Sequence, residues 1–155
     1  MIYVMYFFYL QDDSERKKLS CILSFINYLV KFKDQHSMDG ISSSKFEKLP
    51  YTLHHRFTAM FDVSESRRLP PEKMNLLISY VLVLTLFSDD FRTDYRDIAK
   101  DLRMDTLTLR QIFWHLGCKL ISSEKVSYAT LPIPLTFPQV KQRKKKNKNK
   151  LWSLF

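Results

Sequence analysis

The chain has 155 residues, with 25 Lys and Arg against 16 Asp and Glu, a formal charge of +9 at pH 7. Its two glycines, Gly40 and Gly117, stand too far apart to write a G-x-G-x-x-G turn or a G-x-x-x-x-G-K-[ST] loop, which excludes the common nucleotide-binding folds. A content of 45% apolar and 14% aromatic residues marks a globular chain, long enough for one domain or for two small domains sharing an interface.

Residues 1–10 read MIYVMYFFYL, an apolar decapeptide too short to span a bilayer. It has no basic n-region and no small-residue cleavage site, so residues 1–12 are expected to be an extension packed on the body rather than a signal peptide. From Asp13 the period becomes helical. Leu19, Ile22, Leu23, Ile26, Leu29 and Val30 recur at three- and four-residue steps. Asp12, Asp13 or Ser14 can cap the start, and Lys31 and Lys33 suit the negative pole at the end. After a polar loop, Ser44 and Glu47 offer a capping box for a short helix stopping at Pro50. YTLHHRFTAM at 51–60 reads as a further helix, which makes residues 13–68 a helix-turn-helix unit.

The second unit, 69–140, begins at Leu69-Pro70-Pro71-Glu72, with proline in the first turn and an acid beside it. Residues 74–87 are almost wholly apolar, predicting a helix buried on most sides. Phe91-Arg92-Thr93 is extended in character, and Thr93 or Asp94 caps a helix reaching Leu102. Arg103 and Met104 make the turn, Asp105 caps the next helix, and Leu109, Ile112, Phe113 and Leu116 line its inner face up to a stop at Gly117. Strands are predicted over 118–122 and 126–131 around a turn at 122–125. The order helix, strand, helix, turn, helix, strand, wing, strand is the winged-helix plan. The fold class is therefore mainly α with small β wings, as tandem winged-helix units joined near Ser66–Leu69.

Residues 141–155 form a basic tail. Seven of the Lys and Arg fall in KQRKKKNKNK at 141–150, where there is no acid, so residues 1–140 keep 18 bases against 16 acids, a net of +2. Such a run cannot fold alone, and it suits nuclear import or the neutralisation of nucleic-acid phosphates. Cys21 and Cys118 lack paired spacing, and His36, His54, His55 and His115 form no metal-binding pattern. Two buried, reduced thiols are expected, with no metal and no cofactor.

Several segments together resemble one known family. LPPEK at 69–73, YVLVLTL at 80–86, DDF at 89–91, IAKDL at 98–102, HLGCK at 115–119 and ATLPIPLTFP at 129–138 are similar to the C-terminal half of the forty-nine-kilodalton-type subunit of RNA polymerase I, the polymerase-associated factor of animals. Residues 14–66 resemble its first winged helix more loosely. The resemblance implies a tandem winged-helix module that binds DNA near the polymerase cleft and supports initiation and elongation on ribosomal DNA, in the nucleus and nucleolus. It implies the RNA polymerase I core subunits as partners, with an initiation factor as a further one. The family's N-terminal dimerisation domain has no counterpart in these residues, so dimerisation through it is not expected.

The last helix of a helix-turn-helix presents its outer face to DNA. Thr108, Arg110, Gln111 and His115 are the expected contacts there, with Arg110 foremost on phosphate, and Lys119 and Lys125 flank the wing. His55 and Arg56 hold the matching place in the first unit, and Lys144, Lys145 and Lys146 extend the contact into the tail. Trp114 is expected to pack against other helices. The acids at 89, 90, 94, 97, 101 and 105 are expected to cap helices or face a basic partner. No convergent nucleophile, base or metal cluster is legible, so the chain reads as a non-catalytic accessory subunit with no small-molecule substrate and no membrane. The alternative reading is a winged-helix docking module without direct DNA binding.

Overall fold

The computed structural model describes residues 13–37, 49–63, 68–122 and 127–138. Helix α1 covers Asp13–Gln35, α2 Tyr51–Phe61, α3 Pro71–Ser88, α4 Tyr95–Asp101 and α5 Thr106–His115. Strands β1 (Arg92–Asp94), β2 (Lys119–Ser122) and β3 (Ser127–Thr130) form one antiparallel sheet in the order β1-β3-β2. The fold is mainly helical with small β wings. The capping box at Ser44, the turn at 123–125, the extension 1–12 and the basic tail lie outside the described residues.

Local sequence accounts for the helix ends. Pro71 opens α3, where a missing N–H costs nothing because the first turn has no intrahelical acceptor for it. Of the two candidate caps for α4, Asp94 is used, its side chain accepting from Arg96 N–H at 2.8 Å. Thr93 is instead buried, and its hydroxyl donates to Asp89. Asp105 accepts from the N–H groups of both Leu107 and Thr108 at the start of α5. Gly117 ends that helix at φ 84, in the left-handed region that glycine enters without a Cβ clash.

One buried cluster runs through the chain, from Leu29 of α1 to Ala129 of β3. Its aromatic part joins the first two helices: Phe57 stands edge-on to Phe25 and Phe32 at centroid distances of 5.5 and 5.4 Å. Phe61 extends the contact to Tyr80 of α3 at 6.0 Å. In α5, Leu109, Ile112 and Phe113 point inward as the period requires. Each such side chain contributes about 1.5–3 kcal/mol by leaving water. The sheet closes the second half, with Thr93 opposite Ala129 and Leu120 opposite the same Ala129 from the other side.

One expectation is narrowed and two are corrected. Helix α3 is buried on most sides, with Leu77, Ile78, Val81, Leu82, Thr85 and Leu86 inside, but Leu76, Tyr80, Val83 and Phe87 form one exposed stripe. A uniformly apolar helix carries no period to reveal which face stays exposed. Cys21 is exposed, because it falls beside rather than on the apolar stripe of α1, whereas Cys118 is buried as expected. Trp114 is 45% exposed and rests edge-on to His115 at 5.0 Å instead of entering the helical core.

Candidate functional site

The α4–turn–α5 unit and the β2–β3 pair set the candidate surface. On α5, Thr108, Gln111 and His115 are exposed, and Lys119 is exposed at the start of β2. His55 and Arg56 are exposed on α2. Lys125, Lys144, Lys145 and Lys146 lie outside the described residues.

Arg110 differs from its neighbours. It is half-buried, and its Nε is buried without a hydrogen bond among the described residues. Its charge lies against Tyr95, the first residue of α4, whose side chain is buried. Burial pushes the Tyr95 hydroxyl up. The Ser127 and Ser122 hydroxyls and the Arg110 and Arg96 charges oppose this and together hold it below its ordinary value. Ser127 itself is buried, and its Oγ faces Tyr95 without a hydrogen bond of regular geometry. Arg110 thus stands beside the start of α4 as well as near the surface.

Three further exposed cations lie outside the expected contact set. Arg96, Lys100 and Arg103 line an open cavity of ≈ 480 Å³ along the α4–α5 turn, together with Ala99, Met104 and Thr106. The i, i+4 spacing of Arg96 and Lys100 puts them on one face of α4, a helical period visible in the sequence, and the turn after the helix brings Arg103 beside them. Interleaved acids hid that period. Asp97 pairs with Lys100 at 3.0 Å, while Asp94 and Asp105 are taken up as caps.

A family model described as A49-like RNA polymerase I associated factor matches residues 7–145. The chain belongs to that family. It is also 26% identical over 110 residues to the DNA-directed RNA polymerase I subunit rpa49 of Schizosaccharomyces pombe, a match covering 61% of this chain. The chain spans about a quarter of that relative's length, since the match covers 26% of it. The A49-like match contains both the helical half and the sheet-bearing half, so α1 and α2 belong to the family region with α4 and α5.

No described helix is long and apolar enough to cross a membrane. Among the described residues, no three His, Cys, Asp or Glu side chains gather as metal ligands. The buried Cys118 thiol is pushed up to about 11 by desolvation, which leaves it almost wholly protonated at neutral pH and a poor nucleophile.

Proposed function

We propose that the chain is a non-catalytic DNA-binding module of an RNA polymerase I subunit, contacting ribosomal DNA near the polymerase cleft without sequence preference and supporting initiation and elongation in the nucleolus. The observation that carries this is the helix-turn-helix of α4 and α5 with a β2–β3 wing beside it, in a chain of the A49-like family. The exposed Thr108, Gln111, His115 and Lys119 supply polar and basic contacts suited to a phosphate backbone. Residues 13–68 and 69–140 are read as the two winged-helix units of the module, and residues 141–155 as a tail adding phosphate contacts or directing import. Its partners are the polymerase I core subunits and, beyond them, an initiation factor.

Two measurements test this together. The tagged chain, purified from nuclei, is expected to recover the RNA polymerase I core. The isolated chain is expected to bind duplexes of unrelated sequence with similar affinity, weakening as salt rises. A chain that ignores DNA at low salt yet recovers the polymerase has a docking role alone.

One observation favours that second reading. Leu76, Tyr80, Val83 and Phe87 make an exposed apolar stripe along α3, suited to a surface of the polymerase core. Val83→Glu with Phe87→Glu should then reduce polymerase recovery while leaving DNA affinity intact. Equal recovery by the variant removes this reading.

A further inference from the structure

The cavity at the α4–α5 turn has a chemistry of its own. Three of its six lining residues are cations and none is an acid. Among the described residues Arg96 and Arg103 make no ion pair, and both are exposed, so two guanidinium groups are available to a ligand. The small Ala99 and the half-buried Met104 leave space between them without offering an aromatic platform for a base.

Arg103 is also held in an unusual way. Its φ of 51 lies in the left-handed region, where glycine or asparagine costs less than arginine. Its N–H donates to the Lys100 carbonyl at 3.1 Å, and the next N–H, of Met104, donates to the Ala99 carbonyl at 2.9 Å. The turn therefore fixes the backbone that carries the guanidinium at the cavity edge. The N-terminus of α5 does not contribute, because the Asp105 carboxylate already occupies it. Recognition here is by side chains.

We propose that this cavity is a phosphate site, in which Arg96 and Arg103 grip one backbone phosphate of a nucleic-acid strand with Lys100 at the rim. The inference rests on the DNA-binding reading above and adds to it the point at which the strand is held. Planar guanidinium groups match phosphate and carboxylate oxygens alike in a bidentate manner, and the DNA-binding reading makes a phosphodiester the anion that reaches them. Thr106 lines the cavity and Thr108 and Gln111 follow it on the exposed side of α5, so a strand crossing α5 brings a phosphate to this place.

The test uses the full chain and a short duplex, followed by fluorescence anisotropy between about 50 and 200 mM salt. The Arg96→Gln/Arg103→Gln variant is expected to lower the slope of log K against log salt by about 1, as for one phosphate, and to weaken binding about tenfold or more. Lys17→Gln/Lys18→Gln removes the same charge from the exposed face of α1 and is expected to change the slope by less than half as much. Wild-type binding with an unchanged slope in the Arg96/Arg103 variant overturns the phosphate site and leaves the DNA-binding reading standing. No binding by the wild-type chain overturns both. A second measurement needs no variant: the Arg96 and Arg103 side-chain Nε–H resonances should shift when duplex is added. Resonances that stay fixed while the chain is bound overturn the site.

Discussion

Lys33 and Leu102 are 69 residues apart in the chain, yet Lys33 Nζ donates to the Leu102 carbonyl oxygen at 2.9 Å. The same ammonium pairs with Asp34 Oδ1 at 2.9 Å, and the lysine side chain is 8% exposed. Leu102 is the C-terminal cap of α4, so the bond joins the end of α1 to the start of the turn between α4 and α5. A second tie lies close by, where Leu69 N–H donates to the His36 carbonyl at 3.4 Å. The end of α1 thus supports the backbone on which Arg103 and the cavity are built.

Replacing Lys33 should be costly for that reason. Lys33→Met keeps the packing volume but leaves the Asp34 carboxylate, 17% exposed, without its partner, and it removes a donor from the Leu102 carbonyl. Losses of this kind cost about 2–3 kcal/mol. Urea denaturation of the variant should show the midpoint falling accordingly with an unchanged m-value. A change below about 0.5 kcal/mol would mean that water replaces the lysine at both partners.

How far the sequence reveals this arrangement depends on the signal each residue leaves. The inner face of α5 is legible because Leu109, Ile112 and Phe113 repeat at helical spacing between polar neighbours, and its start is legible because Asp105 is a strong cap. Nothing comparable marks Lys33, whose burial depends on a carbonyl supplied by a segment far along the chain. The exposed stripe of α3 is hidden by composition, since Val83 and Phe87 are as apolar as Val81 and Leu82. The cavity cations did leave a period, but summing charges over the segment cancels Arg96, Lys100 and Arg103 against Asp94, Asp97, Asp101 and Asp105.

Gly117 is a position where one methyl group should matter. Its φ of 84 is strained for any side chain, and a Cβ there would lie 3.1 Å from both Leu135 Cδ1 and the Thr136 carbonyl oxygen. Gly117→Ala should destabilise the fold by about 1–2 kcal/mol, through backbone strain together with displacement of the segment 131–138 that crosses it. Thermal unfolding measures the loss. Wild-type stability in the variant would show that the segment can lift away without cost.

The two thiols should differ sharply. Cys21 is exposed on α1, whereas Cys118 is buried and its ionisation is pushed up to about 11 from an ordinary 9.0. A thiol reagent at neutral pH should therefore modify Cys21 in the native chain and reach Cys118 only after unfolding. The stability linked to Cys118 follows from the sign of the shift. Below pH 9.0 both folded and unfolded states keep the proton, so the contribution is complete. As pH rises from 9.0 towards 11 the unfolded state loses its proton first, and the contribution fades. A Cys118→Ala variant should lack that part of the alkaline decline, and an identical decline in the variant would contradict it.

Tyr95 gives a way to ask what Arg110 does. Burial raises its ionisation, but Ser127, Ser122, Arg110 and Arg96 hold it below the ordinary 10.0. A folded value below the unfolded one stabilises the fold above the unfolded value, and the effect is lost as pH falls through the folded one, so it contributes nothing near neutrality. It is still visible by NMR titration of the tyrosine ring carbons, where Tyr95 should ionise early and Arg110→Gln should move it up. Duplex DNA discriminates further. A phosphate seated on Arg110 neutralises the charge that favours the phenolate, so bound DNA should raise the Tyr95 value nearly as far as Arg110→Gln does. A Tyr95 titration unmoved by DNA that is demonstrably bound would assign Arg110 to bracing α5 against Tyr95 of α4, and leave phosphate contact to Arg96 and Arg103.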